Sequence, residues 1–262
     1  MMYIIKKTVL FAFLLLNATH AFGQILFNPK PQMTADFISL IEKAHNNKAF
    51  MSHKAITFDI EIQWGGKLTL KATVTSQTNS GKIKLSFENG TNVYFDGTNV
   101  FMYPASVDYK RARFDVLTWH YFFFAPFKLR DKGVTVTADI DRMNDGRAYP
   151  TAKMTFATGT GDSPNDWYIL YRNPQTNQLD GMSYIVTYGG KKPTEATPNA
   201  ITYHDWTTLN GVKFPTKWQF TDWNEAKGFT KIRGEAAIKN IRWVENTEGV
   251  FDIPKESKKI EK

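Results

Sequence analysis

Apolar and polar residues alternate with a period of two through most of this chain. Residues 56–62 place Ile, Phe, Ile and Ile between Thr, Asp and Glu, and residues 68–74 repeat the pattern. Because successive side chains of a strand point to opposite faces, this alternation predicts strands with one apolar and one wet face. Turn pairs such as Asn89-Gly90 separate the segments, which indicates antiparallel hairpins.

About ten or eleven such strands follow one another, which is enough for a sheet to curl strongly through its own twist. A helix is predicted from Thr34, because Phe37, Ile41 and Ala44 fall on one helical face. The predicted fold class is therefore mainly β (α+β). We expect a single strongly curved antiparallel sheet, a half-barrel, with an N-terminal and a central helix covering its concave face.

The predicted central helix carries a run of aromatic residues, Trp-His-Tyr-Phe-Phe-Phe-Ala-Pro-Phe, at residues 119–127. On a helix, Trp119 and Phe122 fall on one side, whereas Tyr121 and Phe124 fall on another. One aromatic face suffices to cover a sheet, so the second needs another element, a membrane interface or a ligand. The run is predicted to form a lid, and whether its rings contact side chains or a guest molecule stays open.

The first residues of the chain resemble an export signal. Lys6 and Lys7 precede a short apolar stretch, and Ala21-Phe22-Gly23 has the small-x-small pattern of a cleavage site. We expect a signal peptide at residues 1–23 and a single domain at residues 24–262. The chain has no cysteine, so neither disulfides nor a lipidated cysteine is expected. The predicted location is the periplasm, without lipidation.

No catalytic pattern accompanies this layout. The sequence lacks an HExxH zinc motif, a GxSxG elbow and a phosphate-binding glycine loop. The order of Asp139, Asp141 and Asp145 does not fit a calcium-binding EF-hand loop. We therefore predict no catalytic residue, no metal and no cofactor. The chain carries a net charge of +8, but it shows no nucleic-acid-binding motif, so nucleic acid is not an expected partner.

Two segments carry a resemblance to a known superfamily. One is the hairpin of residues 167–176 and 179–188, and the other comprises residues 203–206 and 209–215; residues 121–132 accompany them. Together with the overall layout, they resemble the lipoprotein-carrier superfamily of the bacterial envelope, the LolA- and LolB-like half-barrels. The chain is most similar to an uncharacterised exported branch of that superfamily.

The resemblance implies an apolar cavity that accepts lipid or lipoprotein acyl chains, in a monomeric, non-catalytic carrier or sensor. The residues predicted to line the cavity or its lid are Phe58, Ile60, Leu70, Leu85, Trp119, Tyr121, Phe122, Phe123, Phe127 and Tyr184. Peripheral contact with a membrane surface is a further expectation. Two alternatives stay open: a structural or interaction module of the envelope with a filled core, and an envelope hydrolase.

Overall fold

The computed structural model describes residues 30–262, with side chains from residue 33 onward. The predicted signal peptide lies outside these residues. The helices are α1 (Lys30–His45), α2 (Asn47–Ser52) and α3 (Ala112–Phe124), and short 3-10 turns follow at Ala125–Phe127 and Pro193–Glu195. The strands are β1 (Ala55–Trp64), β2 (Lys67–Gln77), β3 (Ile83–Ser86), β4 (Asn92–Phe95), β5 (Val100–Tyr103), β6 (Val134–Ala138), β7 (Arg142–Asn144), β8 (Arg147–Tyr149), β9 (Thr151–Phe156), β10 (Trp167–Arg172), β11 (Leu179–Tyr184), β12 (Asn199–Leu209), β13 (Val212–Asn224), β14 (Gly228–Val244) and β15 (Lys258–Ile260).

Thirteen of the described strands form one antiparallel sheet, in the order β15-β5-β4-β3-β2-β1-β14-β13-β12-β11-β10-β9-β6. Strands β7 and β8 form a separate hairpin. The predicted fold class is confirmed: one large antiparallel sheet with helices on one face. Strand β1 pairs with β14, so the first strand and the last long strand of the chain lie side by side at the centre of the sheet.

The C-terminal part of the chain is more ordered than its composition suggests. Residues 255–262 hold four lysines and two glutamates, a composition typical of a solvated, frayed tail. Residues 258–260 pair with β5 and complete one edge of the sheet. Strand β14 continues without interruption through Asn240, although this residue adopts a positive φ of 53°.

The helices bury one face of the sheet. Helix α1 packs on β6 and β13, whereas α3 packs on β2, β3, β4 and β5. His45 ends α1 and fastens it to the sheet: its Nδ1 donates to the carbonyl of Lys213 at 3.2 Å, and its Nε2 accepts from the amide of Leu179 at 3.0 Å. Helix α2 was not predicted; Asn46 caps it by accepting from the Ala49 amide.

The opposite face of the sheet carries a small aromatic cluster. Ile169 and Tyr171 alternate with the inward-facing residues of β10, and they pack with Trp223 and Phe229. The Trp223 indole donates to the Tyr171 hydroxyl at 2.8 Å. Across residues 30–262, no helix combines the length and the apolar character that crossing a membrane would require.

Candidate functional site

A cavity of about 700 Å³ lies between α3 and the part of the sheet formed by β10, β11 and β13. Its volume is within the range of small-molecule sites, roughly 300–1,000 Å³. Most of the wall is apolar. Its large apolar side chains are Trp64, Leu70, Phe114, Leu117, Trp119, Phe122, Phe156, Val186 and Phe220, and five tyrosines join them: Tyr109, Tyr121, Tyr168, Tyr184 and Tyr188.

Trp119 is held in the wall by a buried carboxylate. Asp115 lies in the first turn of α3 and is 2% exposed. It accepts from the indole nitrogen of Trp119 at 2.9 Å, from Nη2 of Arg111 at 3.1 Å and from the hydroxyl of Tyr109. Aspartate often caps a helix, but α3 begins at Ala112, before Asp115, and the carboxylate orients the tryptophan instead. The ring of Trp119 is thereby fixed against Phe220, with ring centroids 5.9 Å apart.

The C-terminal half of the aromatic run fills space rather than lining it. Phe123 stacks on Phe58 with ring centroids 4.0 Å apart and on Phe214 at 5.0 Å. Phe127 stacks on Phe50 of α2 at 3.9 Å. These rings are buried in close contact with one another. Helix α3 therefore covers the sheet in two ways, with solid packing at its C-terminal end and a hollow towards its N-terminal end.

The ten predicted site residues divide between these two regions. Five of them line the cavity: Leu70, Trp119, Tyr121, Phe122 and Tyr184. The other five are buried in the packed core and do not line it: Phe58, Ile60, Leu85, Phe123 and Phe127. The period-two pattern identifies side chains that face inward. It does not distinguish a cavity wall from a packed core, because both consist of inward-facing apolar residues.

One end of the cavity is polar. Asp162 lies there and accepts from Nη2 of Arg113 at 2.8 Å and from Nζ of Lys262 at 3.3 Å. Burial opposes ionisation of Asp162, but the two cations outweigh it and its pKa lies below the usual range. Asp166 lies in the same wall and accepts from the amide and the hydroxyl of Thr187 at 2.7 and 2.6 Å. Burial dominates there and raises the pKa of Asp166.

The cavity wall includes an exposed tryptophan. Trp64 is 38% exposed at the end of β1, and its ring stacks on Phe220 with centroids 4.8 Å apart. The ring lies directly over Gly234, where a Cβ atom would stand 2.6 Å from the indole carbon Cε3. Only glycine at position 234 therefore leaves room for this tryptophan in the cavity wall.

The four described histidines have separate local roles. His120 lines the cavity, and its Nδ1 donates to the carbonyl of Val116 at 3.2 Å. Burial, with a contribution from Lys128, lowers the pKa of His120 to about 3, so it is neutral at physiological pH. His204 bonds to Thr202 at 2.8 Å, and His53 pairs with Glu245. Across residues 30–262, no group of three or more acidic or histidine side chains could hold a metal ion.

Several residues of the cavity wall were not predicted from the sequence. Tyr168 is the direct cross-strand partner of Tyr184, so the register of one hairpin would have revealed it. Asp115 was also not predicted. It lies four residues before Trp119 on a helix, a spacing that brings the two side chains together. Phe220 and Trp64 meet only through the long-range pairing of β1, β14 and β13, and no local pattern marks that contact.

Comparisons with known proteins concern the fold. No family model matches the sequence, and no curated protein matches it. The structure is similar to a LolA superfamily protein from Nitrosomonas europaea, with a TM-score of 0.56 and 11% identity over 82% of this chain and 96% of that one.

Two further solved structures are similar at lower scores. One is a DUF1329 family protein from Desulfovibrio piger, with a TM-score of 0.48 and 10% identity over 84% of this chain and 97% of that one. The other is a domain described as an outer membrane lipoprotein-sorting protein from Vibrio parahaemolyticus, with a TM-score of 0.42 and 9% identity over 78% and 91%. The resemblance inferred from the sequence is thus confirmed at the level of fold: this chain has a LolA-like fold.

Proposed function

We propose that this protein is an exported, non-catalytic carrier or sensor that binds the acyl chain of a lipid or lipoprotein in the cavity beneath α3. The observation that carries the proposal is a cavity of about 700 Å³ with an aromatic and aliphatic wall in a LolA-like fold. An acyl chain would occupy the space between Trp119, Phe122 and Leu70, where it replaces water against apolar surface.

The divided packing of α3 supports this proposal over a filled interaction module. Phe123 and Phe127 supply the contacts that stabilise the helix on the sheet. The cavity end of α3 is fixed by polar contacts at Asp115. The side chains along the cavity lack dispersion contacts that close packing would supply. This loss favours a ligand-binding role for the cavity.

The proposal extends to the cellular setting. Residues 1–23 would direct export to the periplasm and be removed, leaving a single domain of residues 24–262 that acts as a monomer without lipidation or nucleic acid. In this setting the protein would meet lipids at a membrane surface. Trp64 lines the cavity and is exposed, so it is suited to such contact, because tryptophan favours the boundary between water and acyl chains.

Blocking the cavity tests the proposal. Thr118 lies half-buried on α3 and lines the cavity. In a Thr118→Trp variant the indole should occupy the ligand space, so the affinity for a fluorescent fatty acid should fall at least ~10-fold relative to wild type. Titration of the fluorescent fatty acid into the purified protein measures this change.

A matched variant controls for the new tryptophan. Thr137 is exposed on the edge strand β6, outside the cavity wall, so Thr137→Trp should bind like wild type. Circular dichroism should show that both variants are folded. Equal affinity of wild type and Thr118→Trp, or the absence of any binding to wild type, would refute the proposal.

A further inference from the structure

The buried wall of the cavity contains two tyrosine hydroxyls that the protein itself does not satisfy. Tyr168 and Tyr184 are directly opposite each other on β10 and β11, with stacked rings whose centroids are 5.8 Å apart. They are only 8% and 7% exposed, and both line the cavity. Within the part of the chain that the structure describes, neither hydroxyl has a hydrogen-bond partner.

A neighbouring tyrosine shows that the fold can satisfy such a group. Tyr203 is 3% exposed, and its hydroxyl donates to the carbonyl of Phe122 at 2.7 Å. Buried polar groups are nearly always hydrogen-bonded, and an unsatisfied one costs roughly 1–3 kcal/mol. Tyr168 and Tyr184 line the cavity, so water or a ligand within it supplies the hydrogen-bond partners of their hydroxyls.

A carboxylate in the same wall determines which polar groups fit. Asp166 is two residues before Tyr168, and Oδ1 of Asp166 takes both hydrogen bonds from Thr187. Asp166 lines the cavity, and its other oxygen, Oδ2, accepts none of these hydrogen bonds, so we infer that it is available to a ligand. A carboxylate repels an anionic group and accepts from a hydroxyl or an amide N–H.

We propose that the cavity selects an acyl-chain amphiphile whose uncharged hydrogen-bond donor, a hydroxyl or amide N–H, binds between Tyr168, Tyr184 and Asp166. This inference rests on the proposed function and adds the chemical class of the ligand. The donor belongs either to the head of the lipid or to the chain itself. Burial raises the pKa of both tyrosines, so each hydroxyl stays protonated and can also donate to the ligand.

Lipids that share one acyl chain test the selection. Monopalmitoylglycerol has hydroxyls on its head, methyl β-hydroxypalmitate has one on its chain, and methyl palmitate has none. Each is titrated against wild-type protein that holds a fluorescent fatty acid, and its displacement of the probe gives its affinity. We expect one of the hydroxylated lipids to bind roughly tenfold more tightly than methyl palmitate, and the better one identifies where the donor lies.

Removing the hydroxyls should remove the preference. In the Tyr168→Phe and Tyr184→Phe double variant, the hydroxylated lipid should bind no more than about twofold better than methyl palmitate. Asp166→Asn should also weaken the preference, because it replaces an acceptor oxygen with a donor. Tyr94→Phe is the matched control: Tyr94 is equally buried but lies outside the cavity wall, so this variant should keep the wild-type preference.

The outcomes separate this inference from the proposed function. Equal binding of all three lipids to wild type, or an unchanged preference in the double variant, would overturn the selection by Tyr168 and Tyr184. Binding of acyl chains as such would then still stand. Failure of every lipid and of the fluorescent probe to bind would overturn both.

Discussion

At the residue scale, His45 shows how one side chain connects distant parts of the fold. Its two ring nitrogens bond to the backbone of β11 and of β13, so the last turn of α1 is fixed to both strands. The ring also packs against Trp206 and Phe127, with centroids 5.3 and 6.0 Å away. Because Nε2 accepts and Nδ1 donates, these contacts require the neutral imidazole.

This requirement predicts that acid destabilises the protein. Burial lowers the pKa of His45 from 6.5 to about 4, although the bond to Lys213 opposes the shift. Between these pH values the unfolded chain binds a proton that the folded chain does not, so the free energy of unfolding falls as pH decreases from 6.5 towards 4. His120 adds to the loss in the same direction.

A His45→Gln variant should remove part of that loss. At about pH 7 it should be less stable than wild type by about 1–2 kcal/mol, because an amide cannot reproduce both ring hydrogen bonds. From about pH 7 to about pH 4.5 it should lose about 2 kcal/mol less than wild type does. Urea unfolding at the two pH values measures both quantities. Parallel losses in the two proteins would contradict this role of His45.

Residue roles were the hardest feature to predict from the sequence. Aspartate is a residue type that often caps helices. The Asp115 carboxylate instead accepts hydrogen bonds from Trp119, Arg111 and Tyr109. Local spacing allows both roles. The direction of the Trp119 ring, which depends on the packing of α3 against β13, selects between them.

At the element scale, the C-terminal strand β15 shows how a polar segment can be ordered by its partners. Residues 258–260 pair with the edge strand β5, and Arg113, which is 4% exposed, donates to the carbonyl of Ile260 at 3.5 Å. Lys262 reaches Asp162 at the polar end of the cavity. The tail therefore covers a sheet edge and connects it to α3.

Deleting residues 255–262 should expose that edge. The free energy of unfolding should fall by roughly 1–3 kcal/mol, the contribution of a few hydrogen bonds. Amides of β5 that face β15 should exchange with deuterium much faster than in wild type, whereas those of β1 should keep their protection, as hydrogen-exchange mass spectrometry can show.

The matched control removes two charged side chains next to β15 and keeps the strand. Lys255 and Glu256 are exposed and precede β15, so replacing both with alanine should leave the exchange of β5 unchanged. Unaltered exchange of β5 in the deletion variant would mean that β15 does not pair with it in solution.

Elements with period-two alternation were predictable, and those without it were not. Strand β1 buries every second residue from Phe58 to Ile62, and β2 does so from Leu70 to Ser76, as the sequence indicated. Strand β15 has the sequence Lys-Lys-Ile and no such pattern, because it pairs only at an edge and buries little. Helix α2 has six residues, too few for a helical period to be recognised.

At the scale of the whole molecule, the sequence predicts the sheet. It does not predict that the space between α3 and the sheet is divided into a packed core and a cavity. The half-barrel follows from the number of alternating strands and from two helices that need an apolar partner. Whether α3 leaves a gap depends on how closely it approaches each strand. Phe123 contacts Phe58 directly, whereas Tyr184 and Leu70 face open space. That difference arises from the curvature of thirteen strands together, which no local pattern encodes.

The most direct test of the account is to find where an acyl chain binds. A fatty acid with a diazirine on its chain is bound to the wild-type protein and photolysed, and the labelled peptides are identified by mass spectrometry. If the acyl chain binds in the cavity, residues in its wall such as Leu70, Trp119 and Phe122 should be labelled, and Phe58 and Phe123 in the packed core should not. Labelling confined to the outer surface would contradict binding in the cavity. So would labelling that an excess of unlabelled fatty acid does not suppress.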